Sequence, residues 1–223
     1  MTAGRQLALD LGHRPALGRD DLLIGAANKE AVGWIDRFPA WPHYGLALVG
    51  PAGSGKTHLA HVFAAATGAA VISASALGGI DIGAFVAGND DIVIEQSDAA
   101  FDTRALLHVL NGIKERGGHV LITSREPPAR WNVSPADLQS RLSAFPMVRI
   151  AAPDDVLLEA VLVKLFADRQ LTVTPDVVVY LLRHIDRSFA AVRRIVAQAD
   201  AESLAGQRAV TVPLVKALLV ERI

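Results

Sequence analysis

A phosphate-binding pattern constrains this chain more than any other feature of its sequence. Residues 50–57 read Gly-Pro-Ala-Gly-Ser-Gly-Lys-Thr and match the whole pattern G-x-x-x-x-G-K-T. An apolar run at 46–49 precedes this phosphate loop, as a buried strand would, and an Ala-rich segment at 58–67 follows it. Strand, glycine-rich loop and helix are the context in which the pattern binds phosphate. The sequence therefore predicts a site for a nucleoside di- or triphosphate; the alternative is a Gly-rich turn that happens to precede a helix.

The residue types in the loop explain this chemistry. Glycines let backbone N–H groups converge on phosphate oxygens, and the N-terminus of the following helix adds partial positive charge. Lys56 is expected to reach the β- and γ-phosphates, and the Thr57 hydroxyl to bind Mg²⁺. His58 can contribute its backbone N–H. The predicted nucleotide ligands in this segment are Pro51, Ala52, Gly53, Ser54, Gly55, Lys56, Thr57 and His58.

Composition and charge limit the classes of function. The chain has 223 residues, of which 51% are hydrophobic, so it can bury a proper core and is not a disordered polypeptide. A formal net charge of −1 gives no bulk electrostatic reason to bind nucleic acid or a membrane surface. There is no cysteine, which excludes disulfides and zinc–thiolate sites. Because no membrane span and no signal peptide are visible, we expect a cytoplasmic protein with no membrane partner.

The order of elements predicts an arm followed by two domains. Residues 1–20 are polar and contain Gly12, Pro15 and Gly18, as in a flexible arm. Between 21 and 152, apolar runs alternate with helical segments, which predicts an α/β domain with a five-stranded parallel sheet flanked by helices. Residues 153–223 show only helical periodicity and predict a small all-helical domain. The expected strands are 46–49, 71–74, 91–95, 120–123 and 147–151.

A phosphate loop needs a carboxylate at the end of a neighbouring strand to hold Mg²⁺. Glu95, directly after the apolar run 92–94, is the expected second Mg²⁺ ligand beside Thr57. Gln96 follows where an active ATPase would have a second acid, and an amide has no useful basicity at pH 7. Asp98 could replace that acid in part. We therefore expect a site that binds nucleotide but hydrolyses it poorly; the alternative for Glu95 is a strand-end carboxylate facing solvent.

Several segments occur in the order of a known family. After the phosphate loop and the strand-end acids come Ile-Thr-Ser-Arg-Glu-Pro-Pro at 122–128 and Asp-Leu-Gln-Ser-Arg-Leu at 137–142. Together they resemble an AAA+ ATPase of the bacterial replication-initiator clade, the DnaA family, and within it the regulatory branch that inactivates the initiator. The resemblance runs from about Gln6 to the C-terminus. It implies an AAA+ sheet with a helical lid, ADP or ATP with Mg²⁺ as cofactors, and DnaA as a partner.

The resemblance also implies that Arg141 is an arginine finger, which enters the nucleotide site of a neighbouring subunit. A fixed guanidinium near a γ-phosphate stabilises the charge that develops during transfer, and such fingers contribute roughly 10³–10⁵ in rate. A finger that enters a neighbouring subunit predicts a head-to-tail oligomer, and a homo-dimer is the alternative. The alternative is an ordinary surface arginine on a helix whose Leu138 and Leu142 face inward.

Two positions depart from the family pattern. Arg125 stands where an acid usually follows Thr-Ser, and Ala190 stands at the place of the sensing arginine of the lid. Arg187, Arg193 or Arg194 could replace that arginine. Both departures weaken hydrolysis in the chain's own site, and neither touches the finger. The sequence thus predicts a degraded catalytic site beside a finger kept for a partner.

A segment before the first helix is the expected adenine contact. By resemblance, residues 22–28 hold the base through backbone groups around Ile24 and the apolar side chains of Leu23 and Ile24. The alternative is a plain hydrophobic strand that packs on the edge of the sheet.

The arm carries a candidate partner-binding peptide. Its residues Gln6, Leu7, Leu9 and Leu11 place three leucines at alternate positions, and an extended peptide presents alternate side chains to one surface. The pattern resembles the peptide by which such regulators and polymerase subunits bind the DNA sliding clamp. The alternative is a short strand that folds back onto the protein.

Three functions compete. The first is an adenine-nucleotide-binding regulator that binds the sliding clamp and promotes hydrolysis of DnaA-bound ATP, which inhibits re-initiation. The second is a helicase loader or DnaA-like initiation ATPase acting on DNA. Residues 153–223 hold nine Lys plus Arg against nine Asp plus Glu and are followed by no basic helix-turn-helix, so we expect no sequence-specific DNA binding. The third is a small-molecule P-loop kinase, whose phosphoacceptor pocket and Arg-rich lid the sequence does not suggest.

Overall fold

The computed structural model describes residues 22–95 and 100–220. They fall into two compact units, one ending at Ala151 and the other beginning at Ala152. The arm peptide with Gln6, Leu7, Leu9 and Leu11 lies outside the described residues, as do Gln96 and Asp98.

The first unit is built on a parallel sheet. Its strands are β1 Gly45–Val49, β2 Ala70–Ser73, β3 Asp91–Glu95, β4 His119–Ser124 and β5 Met147–Arg149. They pair in parallel in the order β2-β3-β4-β1-β5, and Val49 lies opposite Ser124 on one side and Arg149 on the other. Every residue of β1 is buried, as expected for a central strand covered on both faces. The five-stranded parallel sheet predicted from the sequence is confirmed.

Helices cover both faces of this sheet. They are α1 Lys29–Asp36, α2 Lys56–Thr67, α3 Ile82–Ala87, α4 Thr103–Glu115 and α5 Ala136–Ala144, with 3₁₀ turns at Ala74–Gly79 and Pro128–Arg130. Alternate residues of a strand point to opposite faces. In β4, Ile122 belongs to the apolar cluster under α3, α4 and α5, whereas Leu121 belongs to the cluster under α1 and α2.

The second unit is all-helical over residues 152–220. It contains α6 Asp155–Asp168, α7 Pro175–His184, α8 Phe189–Gly206 and α9 Val212–Val220, which share one apolar cluster. Two starts are capped by side chains: Asp154 Oδ1 accepts the Leu157 N–H at 2.8 Å, and Ser188 Oγ accepts the Ala191 N–H at 3.1 Å. None of the described helices is long and apolar enough to cross a membrane.

Candidate functional site

The phosphate loop joins the carboxyl end of β1 to α2. The Gly50 N–H donates to the Ser124 carbonyl oxygen of β4 at 3.1 Å, and a Cβ on Gly50 would clash with the Ile150 carbonyl oxygen after β5. The loop therefore starts between two neighbouring strand ends, where no side chain fits. Gly53 and Gly55 have φ angles of 72° and 98°, a region that favours glycine. Backbone geometry thus accounts for the two glycines of the pattern and for Gly53 between them.

The first turn of α2 is directed at this loop. Leu59 N–H donates to the Gly55 carbonyl at 3.0 Å, and α2 begins at Lys56. The first N–H groups of a helix have no carbonyl acceptor within the helix and carry partial positive charge. Lys56 Nζ donates to the carbonyl oxygens of Gly50 and Pro51, both at 2.8 Å, which holds the ammonium on the loop. This arrangement of N–H groups and one cation fits a phosphate group.

Glu95 lies against the same helix. Its Oε2 is 3.4 Å from His61 Nε2, and its side chain is only 14% exposed, so it does not face solvent. His61 follows Thr57 by one helical turn, so Glu95 lies beside the face of α2 that carries Thr57. Its other oxygen, Oε1, is buried and has no hydrogen-bond partner among the described residues, and the same holds for Ser54 Oγ in the loop.

The oxygen atoms of Thr57 and Glu95 are of the type that binds Mg²⁺. Mg²⁺ prefers oxygen ligands and is held through one or two carboxylates together with substrate phosphates. Thr57 Oγ1 and the unpartnered Glu95 Oε1 are the protein oxygens that would hold it, with His61 fixing the second carboxylate oxygen. Within residues 22–95 and 100–220, no group of three or more His, Cys, Asp or Glu side chains could form a metal site by itself.

The last residue of β4 forms a hydrogen bond with the turn that follows the strand. Thr123 and Ser124 are buried, and Ser124 Oγ donates to the Glu126 carbonyl at 2.7 Å. Arg125, which departs from the family pattern, is exposed. The Ser124 hydroxyl therefore shapes the turn that leads away from the sheet.

The candidate adenine segment is not a strand, so the edge-strand alternative is wrong. Residues 22–25 lack regular structure and are fixed by the side chain of Asn28, which is only 7% exposed. Asn28 Oδ1 accepts the Gly25 N–H at 2.8 Å, and its Nδ2 donates to the Leu23 carbonyl at 2.9 Å. Ile24 is 53% exposed, so its apolar side chain lies on the surface. An asparagine side chain can replace ladder bonds in this way because it offers both a donor and an acceptor.

Arg141 lies on α5 and is held by a carboxylate of the same helix. Its Nε donates to both carboxylate oxygens of Asp137, one turn earlier, at 3.1 Å each, and this hydrogen bonding raises the pKa of Arg141. Burial raises the pKa of the neighbouring Tyr44 phenol, and the adjacent Arg141 guanidinium partly offsets that shift. The Arg141 side chain is 27% exposed.

Arg141 and the phosphate loop lie at opposite ends of β1. Tyr44 immediately precedes β1, whereas the loop begins at Gly50. A strand advances about 3.3 Å per residue, which separates these two ends by about 20 Å. Arg141 is therefore beyond reach of a phosphate held by its own loop.

In the second unit, Ala190 is exposed on the first turn of α8. Of the candidate replacements, Arg187 Nη2 forms an ion pair with Asp155 Oδ2 at 2.9 Å. Arg194 follows Ala190 by one helical turn, so it lies on the same face and is also exposed.

Comparisons with known proteins agree with this fold. Residues 157–219 match the family model for the lid domain of Hda. The chromosomal replication initiator protein DnaA of Sphingopyxis alaskensis is 28% identical over 204 residues, which cover 80% of this chain and 45% of that protein. Domain III of the Thermotoga maritima initiator DnaA superposes with a TM-score of 0.78 at 15% identity, covering 93% of this chain and 97% of that one. The first unit thus shares the AAA+ fold of DnaA domain III, and residues 157–219 are similar to the lid domain of Hda.

One further structure is of a replication initiator DnaA bound to AMPPCP and single-stranded DNA. It matches with a TM-score of 0.68 at 17% identity and covers 86% of this chain and 67% of that chain. The DnaA-like chain spans less than half the length of the Sphingopyxis alaskensis protein.

Four residues at these sites received no role from the sequence: Asn28, Tyr44, His61 and Asp137. His61 and Asp137 could have been found, because each lies four positions from an assigned residue on a helix, at Thr57 and Arg141 respectively. Asn28 bonds to residues three and five positions earlier, a local contact of the kind that asparagine makes just before a helix. Tyr44 gives no such signal, because it lies beside Arg141 only once α5 packs on the sheet.

Proposed function

We propose that this protein binds an adenine nucleotide in its phosphate loop and regulates DnaA-dependent replication initiation. Its Hda lid and DnaA-like fold support a DnaA-related role. A DnaA structure of the same fold holds AMPPCP, which supports ADP or ATP as the ligand here. In this proposal Thr57 and Glu95 hold Mg²⁺, the segment around Leu23 and Ile24 contacts the base, and the protein works in the cytoplasm.

In the proposal, Arg141 promotes hydrolysis of ATP on DnaA rather than in its own site. The observation that carries this is the separation of Arg141 from the phosphate loop by the length of β1. A guanidinium that cannot reach its own nucleotide but carries donors at the surface suits a nucleotide on another subunit. There it would stabilise negative charge on the γ-phosphoryl oxygens as water attacks phosphorus and ADP leaves.

The chain's own site is proposed to be a weak catalyst. Glu95 is engaged by His61, and Gln96 follows it in place of a second acid. The remaining parts of the proposal are attachment to the DNA sliding clamp through Gln6, Leu7, Leu9 and Leu11, and head-to-tail or dimeric assembly. Both are extended from the sequence pattern alone.

The test measures hydrolysis of ATP pre-bound to purified DnaA, with and without this protein and the clamp. We expect stimulation by the wild type and its loss in Arg141→Ala, while the variant's own nucleotide affinity stays unchanged. Arg130→Ala is the matched control, because Arg130 is an exposed arginine in the same unit, and its contact with Glu126 is long, at 3.8 Å. Equal stimulation by wild type and Arg141→Ala would contradict the proposal, as would a tenfold loss of the variant's own nucleotide affinity.

An initiation ATPase or helicase loader that acts on DNA is the second candidate. It is favoured by the single-stranded DNA in the DnaA structure that matches this chain. This function predicts single-stranded DNA binding that depends on the chain's own nucleotide. A fluorescence anisotropy titration of single-stranded DNA, with ADP and with AMPPCP, distinguishes it from the regulator.

A further inference from the structure

The contacts of Arg141 point to a role for the carboxylate beside it. We propose that Asp137 is a positioning residue, which holds the Arg141 guanidinium at Nε and leaves its other edge for a phosphate of a partner-bound nucleoside triphosphate. This inference rests on the proposed function of Arg141 in trans.

The hydrogen bonds fix one edge of the guanidinium. Both oxygens of Asp137 accept from the same atom, Arg141 Nε, at 3.1 Å. The Nη1 and Nη2 groups carry the remaining N–H donors of an arginine and form the fork that binds phosphate in a bidentate way. Asp137 therefore engages the guanidinium at Nε, away from the edge between the two Nη groups that a phosphate would use.

Tyr44, which lies near Arg141, is fixed by aromatic packing. Tyr44 packs edge-on against Phe145, with ring centroids 5.4 Å apart at an interplanar angle of 81°. The Phe145 ring in turn lies against Gly45 at the start of β1, where an added Cβ would overlap it. This packing holds the Tyr44 ring in place without using a donor of Arg141.

This support has an expected energetic consequence. An ion pair between residues four apart on an exposed helix adds little to the stability of a protein. A finger that is already oriented, however, spares the ordering of a long side chain at the moment of reaction, and a displacement of about 1 Å at a reacting group can cost about 10²-fold in rate. Loss of Asp137 should therefore affect catalysis more than stability.

The opposite hypothesis is that Asp137 sequesters Arg141 and neutralises its charge. The two hypotheses predict opposite signs, since removing a sequestering carboxylate would raise the stimulation of the partner's hydrolysis.

The experiment compares Asp137→Ala, Asp137→Glu and Tyr44→Phe in the DnaA-bound ATP assay, with the concentration of each full-length variant varied to saturation. We expect Asp137→Ala to lower the maximal stimulated rate by about 10- to 100-fold with an unchanged half-saturating concentration. Asp137→Glu, which can pair with Arg141 across one turn, should recover most of the rate. Tyr44→Phe should stay close to the wild type, because it keeps the packed ring and removes only a hydroxyl that has no hydrogen-bond partner among the described residues. Asp168→Ala is the matched control, because Asp168 also pairs with a cation four positions away, Lys164, at 3.0 Å.

Each result is decisive. A maximal rate that is unchanged or raised in Asp137→Ala, while Arg141→Ala abolishes stimulation, overturns this inference and leaves the proposed function intact. If Arg141→Ala matches the wild type, both are overturned. A rise in the half-saturating concentration with an unchanged maximal rate shows that Asp137 contacts the partner instead. In the double variant Asp137→Ala/Arg141→Ala we expect no loss beyond that of Arg141→Ala alone.

Discussion

The two ends of β1 are built in different ways. At the carboxyl end, the site is a contiguous stretch of backbone: three glycines, the first turn of α2 and one lysine. At the amino end, the site is a group of side chains from separate parts of the chain, with Tyr44 before β1 and Arg141 on α5. A phosphate site made of backbone N–H groups forms once a short loop adopts its conformation. A site made of side chains forms only when distant segments of the chain bring each residue to its position. A local motif therefore marks the first site, and only packing defines the second.

The largest expected effect comes from two variants, one at each end of β1, which together test whether the two ends act independently. Arg141→Ala should reduce stimulated hydrolysis on DnaA by about 10³-fold or more and leave the protein's own nucleotide affinity unchanged. Lys56→Ala should weaken its own nucleotide affinity by about ten- to hundredfold, because one charge-assisted hydrogen bond is lost. Isothermal titration with ADP measures the second effect. If either variant lowers both quantities equally, the two ends are coupled.

A smaller effect is expected within the carboxyl end. Glu95→Gln should weaken ADP binding by about tenfold in the presence of Mg²⁺, because the buried carboxylate would lose its charge for the metal. The same variant in EDTA serves as the control and should bind ADP like the wild type. An equal loss with and without Mg²⁺ would mean that Glu95 acts through its contact with His61 and not through the metal.

Gly45→Ala is expected to disturb the amino end without touching a charged group. The added methyl would overlap the Phe145 ring, and overpacking of this kind destabilises a protein by about 1–3 kcal/mol. Thermal unfolding measures this change, and Gly33→Ala is the control because a Cβ there meets nothing within 4 Å. If the overlap is relieved by moving Phe145, the stimulated hydrolysis should fall as well, since Phe145 directly follows the helix that carries Arg141.

The smallest effect is a pH dependence at the amino end. Burial lowers the pKa of His43, and the charge of Lys114 lowers it further, while His43 Nδ1 accepts the Gly45 N–H at 3.1 Å. A histidine whose pKa is lowered in the folded state stabilises it above the unfolded pKa of 6.5, and this contribution is lost as the pH falls. Melting temperatures of the wild type should fall slightly more than those of His43→Asn between pH 7 and pH 5.5. Identical pH profiles of the two proteins would show that His43 does not contribute to the pH dependence of stability.

Most of the fold was predictable because its signals are local. The strand Asp91–Glu95 appears with the predicted bounds, and β1, β2 and β4 begin within one residue of the expected positions. The 3₁₀ turn Ala74–Gly79 was not predicted, and β5 ends at Arg149 instead of continuing to 151. Both deviations lie at element ends, where tertiary contacts decide whether one more residue stays paired.

The sequence by itself determined the phosphate loop, the parallel α/β fold and the helical unit after residue 152. Each of these follows from hydrophobic periodicity, glycine placement and caps, which act over a few residues. Only the tertiary structure decided that His61 contacts Glu95 and that Arg141 lies a strand length from its own loop beside Tyr44. Those relations join residues far apart in the chain, and their distances are set by how helices pack on the sheet, which no local pattern encodes.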